Sequence, residues 1–277
     1  MAVNTENITV SSLDTIMGFD NAGDLLFAID EMQDCTIANT EEKTDITGRG
    51  GRKLSSLKKN KAVTISGTNG LFSGNLLAVQ TGSAIQPDTT APVQWMEVVT
   101  VNSNAAATEF PATGTAGAEL KLYKRNINGT QGEALTQVAS TPAAGQFTYN
   151  PETKAIGFAS GDVANGTELI ALYERTLTNV AVVTNKSDTY SQTCRLIIDA
   201  TGKDTCDNVF HIQFQVPRAD FSGNFDIQMG GDQVVQAFEA ESLAATGCGT
   251  SSAIKGKFWD MIIFGGTGTD ESAEDNG

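Results

Sequence analysis

A mainly all-β fold, an antiparallel β-sandwich or barrel with a smaller β-sandwich module inserted, is what this sequence predicts, and three features predict it. Phe210, Ile212, Phe214 and Val216 alternate with His211, Gln213 and Gln215, the period-two pattern of a strand with one buried face. Apolar runs are punctuated by turn pairs such as Asn69-Gly70, Asn128-Gly129 and Asn165-Gly166, which supply the left-handed backbone that tight turns need. Charged residues make up 18% of the chain and glycines number 28, a balance that suits strands joined by close loops.

Taken in order, the chain divides into four stretches. In the first, residues 1–85, a polar arm precedes Asp24-Leu25-Leu26-Phe27-Ala28-Ile29-Asp30, which fits either a strand or a short helix. Residues 61–66 and 75–80 read as clearer strands around the Asn69-Gly70 turn. Before them lies a basic, glycine-rich segment that reads as a long loop. Arg49, Arg52, Lys53, Lys58, Lys59 and Lys61 are six of only 18 basic residues in the chain. In the second stretch, 86–177, Pro87 and Pro92 mark the start, and short strands are expected at 93–101, 118–125, 146–149, 155–159 and 168–175. That spacing is the rhythm of a small β-sandwich inserted into the outer domain. The third stretch, 178–264, resumes long strands. Phe225, Ile227 and Met229 repeat the alternation, and residues 258–264 are apolar on both faces, so that strand is either central or closed by a partner. Residues 265–277, rich in glycine, threonine and acids, read as a disordered acidic tail.

The charge narrows the function. With 18 basic against 33 acidic residues the net charge is −15, a surface that repels phosphate and disfavours an ordinary grip on nucleic acid. Residues 1–6 show no basic segment followed by an apolar run, so no secretory route is expected. No apolar stretch has membrane-spanning length. Cys35, Cys194, Cys206 and Cys248 are expected as free thiols, although Cys194 and Cys206 could face each other across a hairpin.

Catalytic chemistry finds few candidates. His211 is the single histidine, so any Ser-His-Asp or Cys-His site would have to use it; a strand histidine on a polar face accounts for it more simply. One histidine with scattered cysteines does not make a zinc site. Gly48-Arg49-Gly50-Gly51-Arg52-Lys53 lacks the closing Gly-Lys-Ser/Thr of a phosphate loop. Asp20-Asn21-Ala22-Gly23-Asp24 opens like a calcium loop but continues without its ligand pattern, and reads as an Asx turn. No enzyme activity, cofactor or metal is expected.

The order of these features carries a resemblance. Residues 24–32 lead into the basic glycine segment and then into residues 60–78. After the β insertion come Val216-Pro217-Arg218-Ala219-Asp220, residues 236–241, and Lys257-Phe258-Trp259-Asp260-Met261-Ile262-Ile263. Over residues 20–85 and 178–264 this resembles the major tail (tail tube) proteins of long-tailed bacteriophages and related prophages. The resemblance implies a discontinuous domain over 1–85 and 178–264, with the 86–177 module on the outside. Hexameric rings would stack into a tube in the virion tail after assembly in the host cytoplasm. The partners it implies are further copies, other phage tail proteins, and viral DNA passing through without specific binding. It also implies an inter-subunit role for the Arg49–Lys61 basic set, and a subunit-interface strand containing Phe258, Trp259, Met261 and Ile263. The alternatives are a head-decoration protein and a surface-exposed adhesion or ligand-binding β protein.

Overall fold

The computed structural model describes residues 6–228, 235–245 and 254–265. The expected tail, apart from Gly265, lies outside them, as do Met229 and Cys248. In chain order, β1 (Thr9–Phe19), β2 (Leu25–Ile29), β3 (Met32–Thr47) and β4 (Lys53–Asn69) precede α1 (Gly74–Thr81), the one α-helix among the described residues. Then follow β5 (Gln86–Thr100), β6 (Ala105–Ala107), β7 (Leu120–Arg125), β8 (Gln131–Gln137), β9 (Gln146–Asn150), β10 (Ala155–Phe158) and β11 (Glu168–Val182). The chain resumes with β12 (Thr193–Lys203), β13 (Val209–Phe221), β14 (Ile227–Gln228), β15 (Val235–Ser242) and β16 (Asp260–Gly265). Contacts divide it into two compact units, residues 1–85 with 183–277, and residues 86–182.

In the first unit every strand pairing is antiparallel, along the path β2-β1-β12-β13-β15-β4-β3. β14 pairs with β15, and β16 joins β13 beside it. The sequence alternation becomes geometry here. Ile16, Ile65, Leu196, Ile198, Val216 and Phe238 turn inward to one core with Phe27 and Phe221, whose rings meet edge to face at 5.7 Å. Residues 24–30, open between strand and helix, form β2.

Residues 75–80, read as a strand, are helical. The Ser73 hydroxyl accepts the Leu76 N–H at 3.3 Å as an N-cap, and Gly82 ends the helix in the left-handed region at φ 69°, where a Cβ would strike the Tyr190 carbonyl. Leu76 and Val79 drop into the core. A buried pair of amides fixes the helix to β15. The Gln236 side-chain oxygen accepts from Ser73 N at 2.8 Å, its amide donates to Gln80 Oε1 at 3.2 Å, and Gln80 donates to the Ala237 carbonyl at 2.9 Å. Buried polar groups are tolerable because they are paired. Of the expected Phe225–Met229 strand, the described residues show β14 at Ile227–Gln228, and Met229 lies outside them.

The second unit is one curled sheet ordered β5-β11-β7-β8-β9-β10-β6, antiparallel except where β8 meets β9. Leu122, Leu169 and Ala171 on one half face Phe147, Ile156 and Phe158 on the other, all in a single core. Arg175 lies against Phe110 and Trp95, its guanidinium carbon 3.4 and 4.9 Å from the ring centroids. β11 stays paired with β5 as far as Gln86↔Val182, so this unit ends at 182, where the expected module ended at 177.

Cys35, Cys194 and Cys206 are free. Cys194 sits in the core at the start of β12 and Cys206 in the exposed turn beyond its end, so the two do not face each other. Burial pushes the Cys194 thiol up to about 12 and the Cys35 thiol to about 11. Thiolate is the reactive form, so at pH 7.5 a maleimide should label Cys206 within minutes, while Cys194 should react only in denaturant; mass spectrometry of the labelled peptides checks this.

Each unit has its own core, and residues 86–182 expressed alone should unfold in a single cooperative transition. Phe147→Ala should destabilise that unit by about 3–5 kcal/mol in urea titration. Replacing residues 88–176 by a short Gly-Ser bridge should leave the first unit folded, as judged by its melting curve.

Candidate assembly interface

Two parts of the first unit are built unlike the rest, because their side chains have no core of their own to enter. The first is the basic segment. It is not the long loop that its composition predicts but the outer half of a hairpin between β3 and β4, closed by a single 3-10 turn at Arg49–Gly51. Near the sheet, Val63, Ile65 and Gly67 on β4 oppose Asn39, Ile37 and Cys35 on β3, and Val63 and Ile65 are buried. Beyond Thr40↔Ala62 the register slips at a bulge on the β4 side. Asn60 takes a left-handed φ of 52° there and donates to Glu42 Oε2 at 2.7 Å. Bulges of this kind bend and twist a ribbon. From this point outward the ribbon is exposed on both faces. About nine residues at 3.3 Å each give it a reach of about 30 Å.

The basic residues are spread along this arm. Lys53 pairs with Asp45 at 2.6 Å and Lys58 with Glu41 at 3.1 Å, and the hydrogen bond from Lys58 holds the Glu41 carboxyl below its ordinary range. Lys61 lies over the Phe258 ring, 5.7 Å from its centroid. Arg49 is in the turn, Arg52 follows it, and Lys59 stands opposite Glu42. Gly50 and Gly51, at φ 77° and 75° with open space around them, allow the turn to close. From residue 38 to 62 the arm has seven basic residues against three acidic ones, a surplus of four. It also exposes Ile46 (43%), Leu54 (67%) and Leu57 (56%). The sequence reading passed over these three. Their signal was three large aliphatics within a basic run, too sparse to show a period.

The second part is β16. It pairs only with β13, from Gln215↔Asp260 to Phe210↔Gly265, and among the described residues its other edge meets no strand. The four interface residues expected from sequence divide here. Trp259 turns back against Phe214 at 5.7 Å and packs on the core, and the Phe258 carbonyl accepts from Ser242 at 2.7 Å. Met261 (48%) and Phe264 (47%) are open to solvent with Ile262, while Ile263 is half-buried. Phe264 stacks on His211 at 5.3 Å, which is where the single histidine lies. Natural edge strands usually carry charge or proline to block pairing; β16 has four large apolar residues in a row.

The family model described as the YomU/Tube protein family matches residues 8–254, nearly the whole chain. The chain belongs to that family and is a phage tail-tube-like protein, in agreement with the likeness read from its sequence. No curated protein matches it. No helix among the described residues is long and apolar enough to cross a membrane.

The division within residues 258–264 is measurable in the dilute subunit. Trp259→Ala should cost about 2 kcal/mol or more of folding stability, as for a large side chain removed from a core margin. Met261→Ser and Phe264→Ser should each change it by less than about 1 kcal/mol. Urea titration followed by circular dichroism distinguishes the two groups.

Proposed function

We propose that this chain is the repeating subunit of a phage tail tube, associating edge to edge into hexameric rings that stack into a conduit for DNA, with no catalytic role. The observation that carries the reading is β16: an edge unpaired among the described residues, with Met261, Ile262 and Phe264 exposed. Leaving such an edge in water is costly and aggregation-prone, and a strand from the next copy removes both problems. Along the run β2-β1-β12-β13-β16, β2 is the opposite edge, which among the described residues pairs only with β1 and has Leu25 exposed. Two different edges make a head-to-tail contact, the kind that closes into a ring.

Stacking falls to the arm, a basic ribbon reaching out from a subunit of net charge −15. Six subunits sum to −90 (six times −15), and the share facing the bore would repel the DNA backbone during ejection. Assembly in the host cytoplasm followed by residence in the virion tail, with other tail proteins as partners, follows from this role.

Concentrated wild-type protein should show rings or tubes by negative-stain microscopy and sediment faster than a monomer. Met261→Lys combined with Phe264→Lys should give folded monomers under the same conditions. Reversing Arg49, Arg52 and Lys53 to Glu should leave rings but shorten or abolish tubes. A wild-type chain that stays monomeric at millimolar concentration contradicts the proposal.

A further inference from the structure

A docking partner for the arm must match its charge and lie beyond its own reach. Where β3, β4 and β15 run side by side, their outward faces form a groove of about 750 Å³, bordered by the turn at 223–226. Asp34, Thr36, Ser66, Phe225, Asp226 and Glu239 are among its lining residues, and no basic side chain is. The Asp34 carboxylate accepts the Thr68 N–H at 2.8 Å. Among the described residues the carboxylates of Asp226 and Glu239 have no such partner. On the arm, Arg49, Arg52 and Lys59 are likewise without an ion pair, while Lys53 and Lys58 are neutralised locally. Arg49 and Arg52 therefore lie at the far end of the β3–β4 hairpin from the groove, where Glu239 on β15 stands opposite Ser66, and Lys59 lies between the two.

They cannot meet within a chain. Thr36 of the groove stands opposite Ser66, and Ser55 of the arm is eleven residues away along the same strand, about 36 Å at 3.3 Å per residue. Apolar matching points the same way. Ile46 and Leu57 are on one face of the arm, diagonal to each other across the Thr44↔Leu57 and Ile46↔Ser55 pairs, and the groove offers the half-buried Phe225.

We infer that the arm tip of one copy seats in the Asp226–Glu239 groove of a neighbouring copy. The inference rests on the tube reading, since only an assembly brings one copy's arm to the next copy's groove. The contact joins different surfaces on the two copies and leaves an arm free at one end and a groove free at the other, so it propagates without limit. Repeated around a ring, contacts that are weak singly reinforce one another.

Charge exchange tests it. Arg49→Glu, Arg52→Glu and Lys59→Glu together, or Asp226→Lys with Glu239→Lys, should each lower the sedimenting polymer at fixed concentration by about tenfold, and both sets in one chain should restore it to within about threefold. Melting curves verify folding, and Asp226→Asn with Glu239→Gln serves if the reversed groove does not fold. Independently, Ser55→Cys with Thr36→Cys, in a Cys206→Ser background, should give covalent dimers and larger multimers on oxidation. The inference is overturned if groove reversal leaves polymers intact while arm reversal removes them, if the combined chain is no better than either parent, or if the arm variant loses only salt-sensitive DNA binding. If wild-type protein forms no rings or polymers, the tube reading fails by itself. Cross-linked dimers would then still uphold the arm–groove contact, and their absence would end both.

Discussion

A bulge at Pro217 in β13 is the constraint on which both assembly surfaces depend. The ladder with β12 runs from Lys203↔Val209 to Leu196↔Val216, then slips by one residue before resuming at Cys194↔Ala219. On the other side of β13, residues 210–215 hold β16 and residues 219–221 hold β15. Pro217 lies in the gap between them. Proline has no N–H to give a ladder, and within sheets it is tolerated at bulges and unpaired positions. One proline thus separates two neighbours that share a strand end to end. The β16 side is left as an open apolar edge, and the β15 side continues through β4 and β3 into the arm.

The energetics of the two halves differ accordingly. The core unit is held by burial of Ile16, Leu196, Val216, Phe27 and their neighbours, and the buried Gln80 and Gln236 amides are paired within it, so its interior needs no partner. The outer hairpin is held by its own ladder and by exposed ion pairs that contribute only about 0–1 kcal/mol each. A two-stranded ribbon is marginal in water by itself, and this one is continuous with a buried strand pair that fixes its register. The arm's surplus of four positive charges leaves −19 (−15 less +4) on the remainder of the chain. Charge of opposite sign on arm and body speeds encounter between copies and selects orientation more than it adds affinity.

Much of the fold was legible because one buried face writes a period of two into the sequence. β13 shows it from Phe210 to Val216, and so does the inner half of β4 at Val63 and Ile65. Where that condition fails, the pattern fails with it. The outer halves of β3 and β4 are exposed on both sides, so their few apolar residues, Ile46, Leu54 and Leu57, show no period and a strand pair reads as a loop; only register, which sequence does not display, makes it a sheet. Residues 75–80 misled in the opposite way. Leu76, Leu77 and Val79 are apolar enough for a strand, and the decisive signals were at the ends, in the Ser73 cap and Gly82. For 258–264 the sequence left two options, a central strand or one closed by a partner. Composition could not choose between them, because the choice is made by what β13 has already paired with.

The insertion of the second unit in the chain follows from how the first closes on itself at the insertion point. The Ser83 hydroxyl donates to the Thr184 carbonyl, and Gln192 N–H donates to the Val79 carbonyl at 3.0 Å. The two ends of the host chain are therefore held together by the host itself. On the other side of the junction, β5 and β11 leave side by side from Gln86↔Val182. Loop-closure entropy rises only slowly with length, by about 0.6 kcal/mol per doubling. A connection that already has fixed, adjacent ends can therefore accept some 97 residues, 86–182, at a small cost, provided the insert folds on its own core. Phe147, Leu122 and Leu169 supply that core without help from the host. The host in turn keeps its sheet path and its free edges whatever the insert does, which lets the second unit vary without disturbing the surfaces that β13 sets out.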